Sequence, residues 1–194
     1  HLFSEGIARP QDRVTSVEVK KEKIHVSLDE AEKPFEEKEP RLTGDVGFDG
    51  KSDTNGVETK SSLRISSGFV FQILQHLDTG VYRKTSGTHS ATLVNEENEA
   101  LARAVDVSRH NACDKVIGKG ILKEIDLSES ILLTSGRQSQ SMVMKAVRTN
   151  IPIIVTKAAP LSSGIEAADK KGVTLICFAD ERKFKVFSGE EKIF

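Results

Sequence analysis

The sequence predicts an α/β protein, a three-layer sandwich in which a sheet lies between helices. Two observations carry that expectation. Continuous apolar runs, ILL at 131–133, IPIIV at 151–155 and VTLICF at 173–178, are what strands covered on both faces require. Segments of helical periodicity follow the first two runs at short intervals, which is the pattern of β-α units. With 194 residues the chain is long enough to bury a core without disulfide or metal staples.

Taken in order, HLFSEGI (1–7) reads as the middle of a helix that runs into its C-terminal glycine, Gly6. The opening at His1, with neither methionine nor a signal-like segment, leads to the expectation that an upstream part precedes it. Val14–Val19 and Lys23–Leu28 alternate apolar with polar around a charged turn, the pattern of a half-buried β-hairpin. Residues 1–28 are thus expected to form a remnant of a β-containing N-terminal region. From Asp29 to Ser62 the composition shifts to Glu, Lys, Gly, Asp, Ser and Thr, and residues 29–62 read as a mobile linker.

The α/β domain is expected over 63–194. Ser66 or Ser67 can cap a helix whose face carries Phe69, Val70, Ile73, Leu74 and Leu77, and Gly80 is expected to stop it. His89–Val94 and Ala100–Val107 read as strands joined by a polar turn at Asn95–Glu99, after which VSRHNACDKVIG (107–118) starts a helix. Then come a strand at 130–135, a helix over Ser139–Arg148, a strand at 151–156, a helix over Ser163–Lys171, a strand at 173–179 and a last one at 184–187.

The charge is balanced, 28 basic against 29 acidic residues, which argues against a nucleic-acid or membrane-seeking surface, so any anionic partner must be held locally. Two cysteines, Cys113 and Cys177, are too few for a secreted disulfide framework, and no apolar run approaches the roughly 20 residues needed to span a bilayer. A cytoplasmic protein is the expectation.

In an open α/β sheet, ligands lie beyond the carboxyl ends of strands, where helix N-termini present free N–H groups. Three segments meet that description: Ser108-Arg109-His110-Asn111, Ser135-Gly136-Arg137-Gln138-Ser139, and Lys157 to Gly164. In the second, Gly136 lets backbone approach an anion, Arg137 offers a bidentate fork, and Ser135 and Ser139 add hydroxyls. The residues alone leave open whether SGRQS holds phosphate or is an ordinary capped helix start. The RHN segment, with Asp114 and Lys115 one turn on, is open in the same way: a binding surface, or a capped helix with a surface ion pair. A zinc site is not expected, because His110 has no partner cysteine near it and zinc wants about four ligands in recognisable spacing. Cys113 stands at helical spacing with Val116, Ile117 and Ile121, and Cys177 lies inside VTLICF, so both thiols are expected to be core.

The segments HLFSEGI, TSGTHSATL (85–93), DVSRHNACDKVIG (106–118), LLTSGRQSQSMVMKA (132–146), PIIVTKAAPLSSGIEAA (152–168) and GVTLICFADERKFKVFSG (172–189) together resemble the FdhD family of formate dehydrogenase accessory sulfurtransferases, also called FdhD/NarQ. The resemblance spans nearly the whole chain, and RHNAxDKxIG with the downstream SGR carries its specificity. It implies a cytidine deaminase-like fold in which RHNA and SGRQS occupy the places of the deaminase zinc ligands and glutamate, without those residues. It also implies cytoplasmic binding of the bis-molybdopterin guanine dinucleotide form of the molybdenum cofactor, with GDP as a fragment ligand, and transfer to it of a sulfur received from a cysteine desulfurase.

Formate dehydrogenase is the implied client, a homodimer the implied assembly, and zinc is not part of the expected site. Arg109, His110, Asn111, Ser135, Gly136 and Arg137 are the cofactor-binding residues so implied, with His89, with Lys115 at the same edge, and with Phe178, Ala179, Asp180, Glu181, Arg182 and Lys183 as the family's late binding segment. The chain departs from the family at its sulfur carrier. The CxxC positions fall on Val46 and Asp49, neither of which can form a persulfide. That departure sets a second expectation, a cofactor-binding scaffold without transferase activity, beside the first; a zinc hydrolase is the third.

Overall fold

A computed structural model describes residues 1–8, 12–21, 23–29, 58–77 and 80–194, the side chains of Tyr82 and Arg83 excepted. The hairpin is present as β1 (Val14–Lys20) and β2 (Lys23–Leu28), with Val17 opposite Val26 and Val19 opposite Ile24. Among the described residues it pairs only with itself and is not part of the main sheet. The expected half-burial is therefore corrected: Val17, Val19 and Ile24 are 48, 72 and 68 % exposed. Alternation fixes which residues share a face, but burial needs a layer against that face.

The main sheet has six strands: β3 (His89–Val94), β4 (Ala100–Asp106), β5 (Ile131–Thr134), β6 (Ile153–Thr156), β7 (Thr174–Cys177) and β8 (Lys185–Ser188). Their spatial order is β4-β3-β5-β6-β7-β8, with β5, β6 and β7 parallel and the flanking strands antiparallel. β6 and β7 are shorter than the apolar runs that announced them, because the ends of those runs turn into loops: Pro152 has no N–H to pair, and its carbonyl accepts from Thr174.

On one face lie α3 (Arg109–Leu122), α4 (Gln140–Arg148) and α5 (Ser162–Lys171), whose Cys113, Val116, Ile117, Met142, Val143, Val147 and Ala168 pack on Leu93, Leu132, Ile154 and Leu175. On the other face, α1 (Ser67–Ile73) and the 3₁₀ turn Leu74–Leu77 bury Val70, Ile73, Leu74 and Leu77 against Ile131, Leu133, Ile153, Val155 and Ile176. Layers of helix therefore cover both faces, which is why β5 to β7 are buried at every position.

Local signals explain the helix ends. Ser66, rather than Ser67, caps α1 by accepting from Phe69 N–H, and Gly172 ends α5 in the left-handed region at φ 69°. Gly6 plays the same part at the end of the 1–8 turn, at φ 71°, with Ile7 N–H bonded to Leu2 C=O at 2.8 Å. Gly80 does not terminate a helix as expected; it opens the short α2 (Gly80–Thr85). Of the linker expected over 29–62, residues 30–57, with Val46 and Asp49, lie outside the described residues; near its end Thr59 is buried and donates its N–H to Lys171 C=O at 2.9 Å.

Candidate functional site

Parallel strands β5, β6 and β7 send their carboxyl ends to the same sheet edge. Register then determines what joins them. Thr134 pairs with Ala91, so the residues beyond it meet the start of β3, and His89 pairs with Asp106 at the end of β4, which leads into α3. The 108–111, 135–139, 157–161 and 178–183 segments and His89 thus share one margin of the sheet.

At the centre, Ser135 N–H donates to Ser90 C=O at 3.0 Å, and Ser90 N–H donates back to Ser135 Oγ at 3.0 Å. The Ser135 hydroxyl lies 3.2 Å from His89 Nδ1, to which it can give its proton. Burial, then the cationic Arg109 and Arg137, hold the His89 pKa below its ordinary value, so the ring is a neutral acceptor. Gly136 touches the stem of Arg109 so closely that an added Cβ would stand 2.7 Å from Arg109 Cβ. His89, Arg109, Ser135, Gly136 and Arg137 form one cradle: two guanidinium groups, a hydroxyl and a neutral imidazole around a glycine that the Arg109 stem covers. Such a set suits an anion with a hydrogen-bonding periphery.

Other expected residues are placed differently. Lys115 and Asn111 both turn to Asp106, whose carboxylate also accepts Ser108 N–H, so this group caps and braces the start of α3. Lys115 is thereby drawn to Asp106, not to the cradle. The His110 side chain is buried, 3 % exposed, which makes it part of the wall and not an open ligand. In the 178–183 segment, Asp180 closes a turn by accepting the N–H groups of Arg182 and Lys183, an arrangement that lowers its pKa. Glu181, Arg182 and Lys183 are exposed along this turn. Ala179 is 1 % exposed and belongs to the core. Phe178 is 41 % exposed at φ 54°, a strained position for an aromatic residue, with its ring 6.0 Å from that of Phe187. Its N–H bonds Ala158 C=O and Ala179 N–H bonds Thr156 C=O, which joins this turn to the 157–161 loop.

Two polar residues under the cradle, Thr134 and Thr156, were missed from sequence, and Gln138 was named without a role; all three have no exposed surface. Their signal was present in the parallel endings LLTSG and IIVTK, each a strand that stops on threonine. Also missed was the buried charge group beneath α3 and α4. His1, Glu5 and Asp114 offer ligand atoms within 4.8 Å of one another, the one such group among the described residues. The Lys145 ammonium bonds both carboxylates, which neutralises them as an ion pair. The two thiols are buried as expected, with desolvation pushing both pKa values up to about 12.

Fold and edge together define an α/β protein with a mixed sheet whose connecting loops gather at the carboxyl ends of its parallel strands. The chain belongs to the FdhD/NarQ family, whose family model matches residues 1–194. It is 32 % identical over 198 residues to the sulfur carrier protein FdhD of Methanothermobacter thermautotrophicus, covering 100 % of this chain and 78 % of that one. To the protein of the same name from Thermoplasma volcanium it is 30 % identical over 209 residues, covering 99 % of this chain and 75 % of the relative. A crystal structure from Desulfotalea psychrophila, described as a formate dehydrogenase accessory protein, shares the fold with a TM-score of 0.79 at 23 % identity, over 100 % of this chain and 76 % of that one.

Proposed function

We propose that the chain is a cytoplasmic maturation factor for formate dehydrogenase that holds the bis-molybdopterin guanine dinucleotide form of the molybdenum cofactor as cargo. The carrying observation is the cradle: His89, Arg109, Ser135, Gly136 and Arg137 brought to one sheet edge from three separate segments. The residues fit a guanylated, phosphate-bearing ligand. Gly136 lets the Arg109 stem pack against the loop, Arg137 and Arg109 supply charge-assisted donors, and the exposed Phe178 ring on the same margin offers a flat surface for a base. The cytidine deaminase-like ancestry of this arrangement belongs to the same proposal. So do association with a cysteine desulfurase and with formate dehydrogenase, and pairing of two copies.

Within this reading, the favoured form is a cofactor scaffold in which no thiol of these 194 residues carries sulfur. The observation that favours it is that Cys113 and Cys177, the only cysteines in the sequence, are both fully buried with pKa values near 12. A persulfide carrier needs an accessible thiolate.

Titration with GDP, comparing the parent with Arg137→Ala, tests the site. Binding by the parent that weakens by more than about 1.5 kcal/mol in the variant supports the cradle as the phosphate site. No GDP binding by the parent overturns it. Incubation with a cysteine desulfurase and cysteine tests the scaffold form, which a persulfide on this chain would refute.

A further inference from the structure

The threonines that close β5 and β6 pair directly, Thr134 with Thr156, and each turns its hydroxyl to the chain two residues on. Thr134 Oγ1 accepts Gly136 N–H at 3.3 Å, and Thr156 Oγ1 accepts Ala158 N–H at 3.1 Å. The Thr156 hydroxyl proton is then left to cross between strands. It goes to the Gly136 carbonyl at 2.8 Å, where Gln138 Nε2 also donates at 2.8 Å. Beyond this point the two loops bond each other, Gln138 N–H to Ala159 C=O at 3.1 Å and Leu161 N–H to Gln138 C=O at 2.8 Å. Gly164 closes the other side, for a Cβ there would stand 2.3 Å from the Gln138 carbonyl oxygen.

The consequence follows from peptide geometry. The Gly136 carbonyl and the Arg137 N–H belong to one planar trans peptide and point in opposite directions. With the carbonyl held inward by two buried donors, the Arg137 N–H is held facing the opposite way, away from them. Rotating this peptide would leave the Thr156 hydroxyl and a Gln138 N–H buried without an acceptor.

We propose that Thr156 is a positioning residue of the cradle: by holding the Gly136 carbonyl inward, its hydroxyl aims the Arg137 backbone N–H at a bound phosphate. This rests on the cofactor reading above.

GDP affinity and thermal stability of Thr156→Val, Thr156→Ser and Val155→Ala test it. Val155 is an adjacent core residue on the opposite face of β6, so its truncation loosens the strand without touching the Gly136 peptide. Thr156→Val is expected to raise the GDP Kd by about fivefold, the loss of one neutral hydrogen bond, while Thr156→Ser stays within about twofold of the parent. Val155→Ala is expected to lower Tm and leave the Kd unchanged. Thr156→Val binding GDP like the parent overturns the proposal, and so does Val155→Ala weakening GDP as much as Thr156→Val. Should Thr156→Val not fold, Gln138→Leu removes the other donor to the same carbonyl; the same rise in Kd is expected, and parental affinity overturns the proposal. A parent that binds no GDP is a distinct result, which defeats the cofactor reading and this inference with it.

Discussion

Lys145 on α4 places its ammonium 2.8 Å from the carboxylate of Asp114 on α3, and no part of the lysine side chain reaches solvent. The same ammonium bonds Glu5, and Ser4 Oγ donates to Asp114 at 2.6 Å. Both helices start at the cradle, α3 at Arg109 and α4 just past Ser139, so this buried pair ties the bodies of the two helices whose tips hold the site. Lys145→Met is expected to take the shared ammonium from two carboxylates, leaving Asp114 with His1 and Ser4 and Glu5 with Arg148, and to cost about 3 kcal/mol of stability, measured by urea unfolding. A loss below about 1 kcal/mol would show that the carboxylates are solvated.

Acid stability should depend on the same group. Burial works to raise the Asp114 pKa, but His1, Lys145 and Ser4 outweigh it and bring the carboxyl from its usual 3.8 down to about 2. A folded-state pKa below the unfolded one stabilises above the unfolded value and is lost as pH falls through the folded one. Asp114 is therefore expected to contribute about 2 kcal/mol above pH 4, lost between pH 4 and pH 2. In Asp114→Asn the unfolding free energy should lack this component of its pH dependence over that window.

His89 should titrate below 6.5 in the folded protein, since burial and the two arginines disfavour its charged form. Stability from the neutral ring is present above pH 6.5 and lost as pH falls through the lowered value. An NMR titration of the imidazole is expected to move upward in Arg137→Ala. An unmoved midpoint would place Arg137 too far from His89 to share a ligand with it.

Gly136→Ala should disturb the site through sterics. The new methyl would have to displace the Arg109 side chain, which it would meet at 2.7 to 3.3 Å. A stability loss of about 1–3 kcal/mol is expected together with weaker GDP binding, seen by calorimetry. Retained affinity would mean that Arg109 does not contribute to the cradle.

Neither thiol should react in the native state. With pKa values near 12 and no exposed surface, Cys113 and Cys177 are expected to resist a disulfide reagent until the protein is denatured, when both become titratable. Rapid native reaction at Cys113 would reopen it as a sulfur carrier.

The elements themselves were legible because their signals are local. Apolar runs marked β5, β6 and β7, helical spacing marked α3, and serine and glycine marked several helix ends. The RHNA and SGR motifs stand in segments that the fold brings to one margin of the sheet, and the setting of Cys113 among Val116 and Ile117 foretold its burial. What the chain's own order did not disclose was which distant groups would meet. Alternation in the hairpin could not say that, among the described residues, no layer would cover it. Lys115 reads as a cradle cation until Asp106 is seen beside it. Lys145 and Glu5 are 140 residues apart, and the Thr156 hydroxyl reaches a carbonyl 20 residues away. Periodicity and capping depend on neighbours within a turn or two, whereas ion pairing, burial and the aim of a peptide depend on strand order and register, which packing of the whole chain decides.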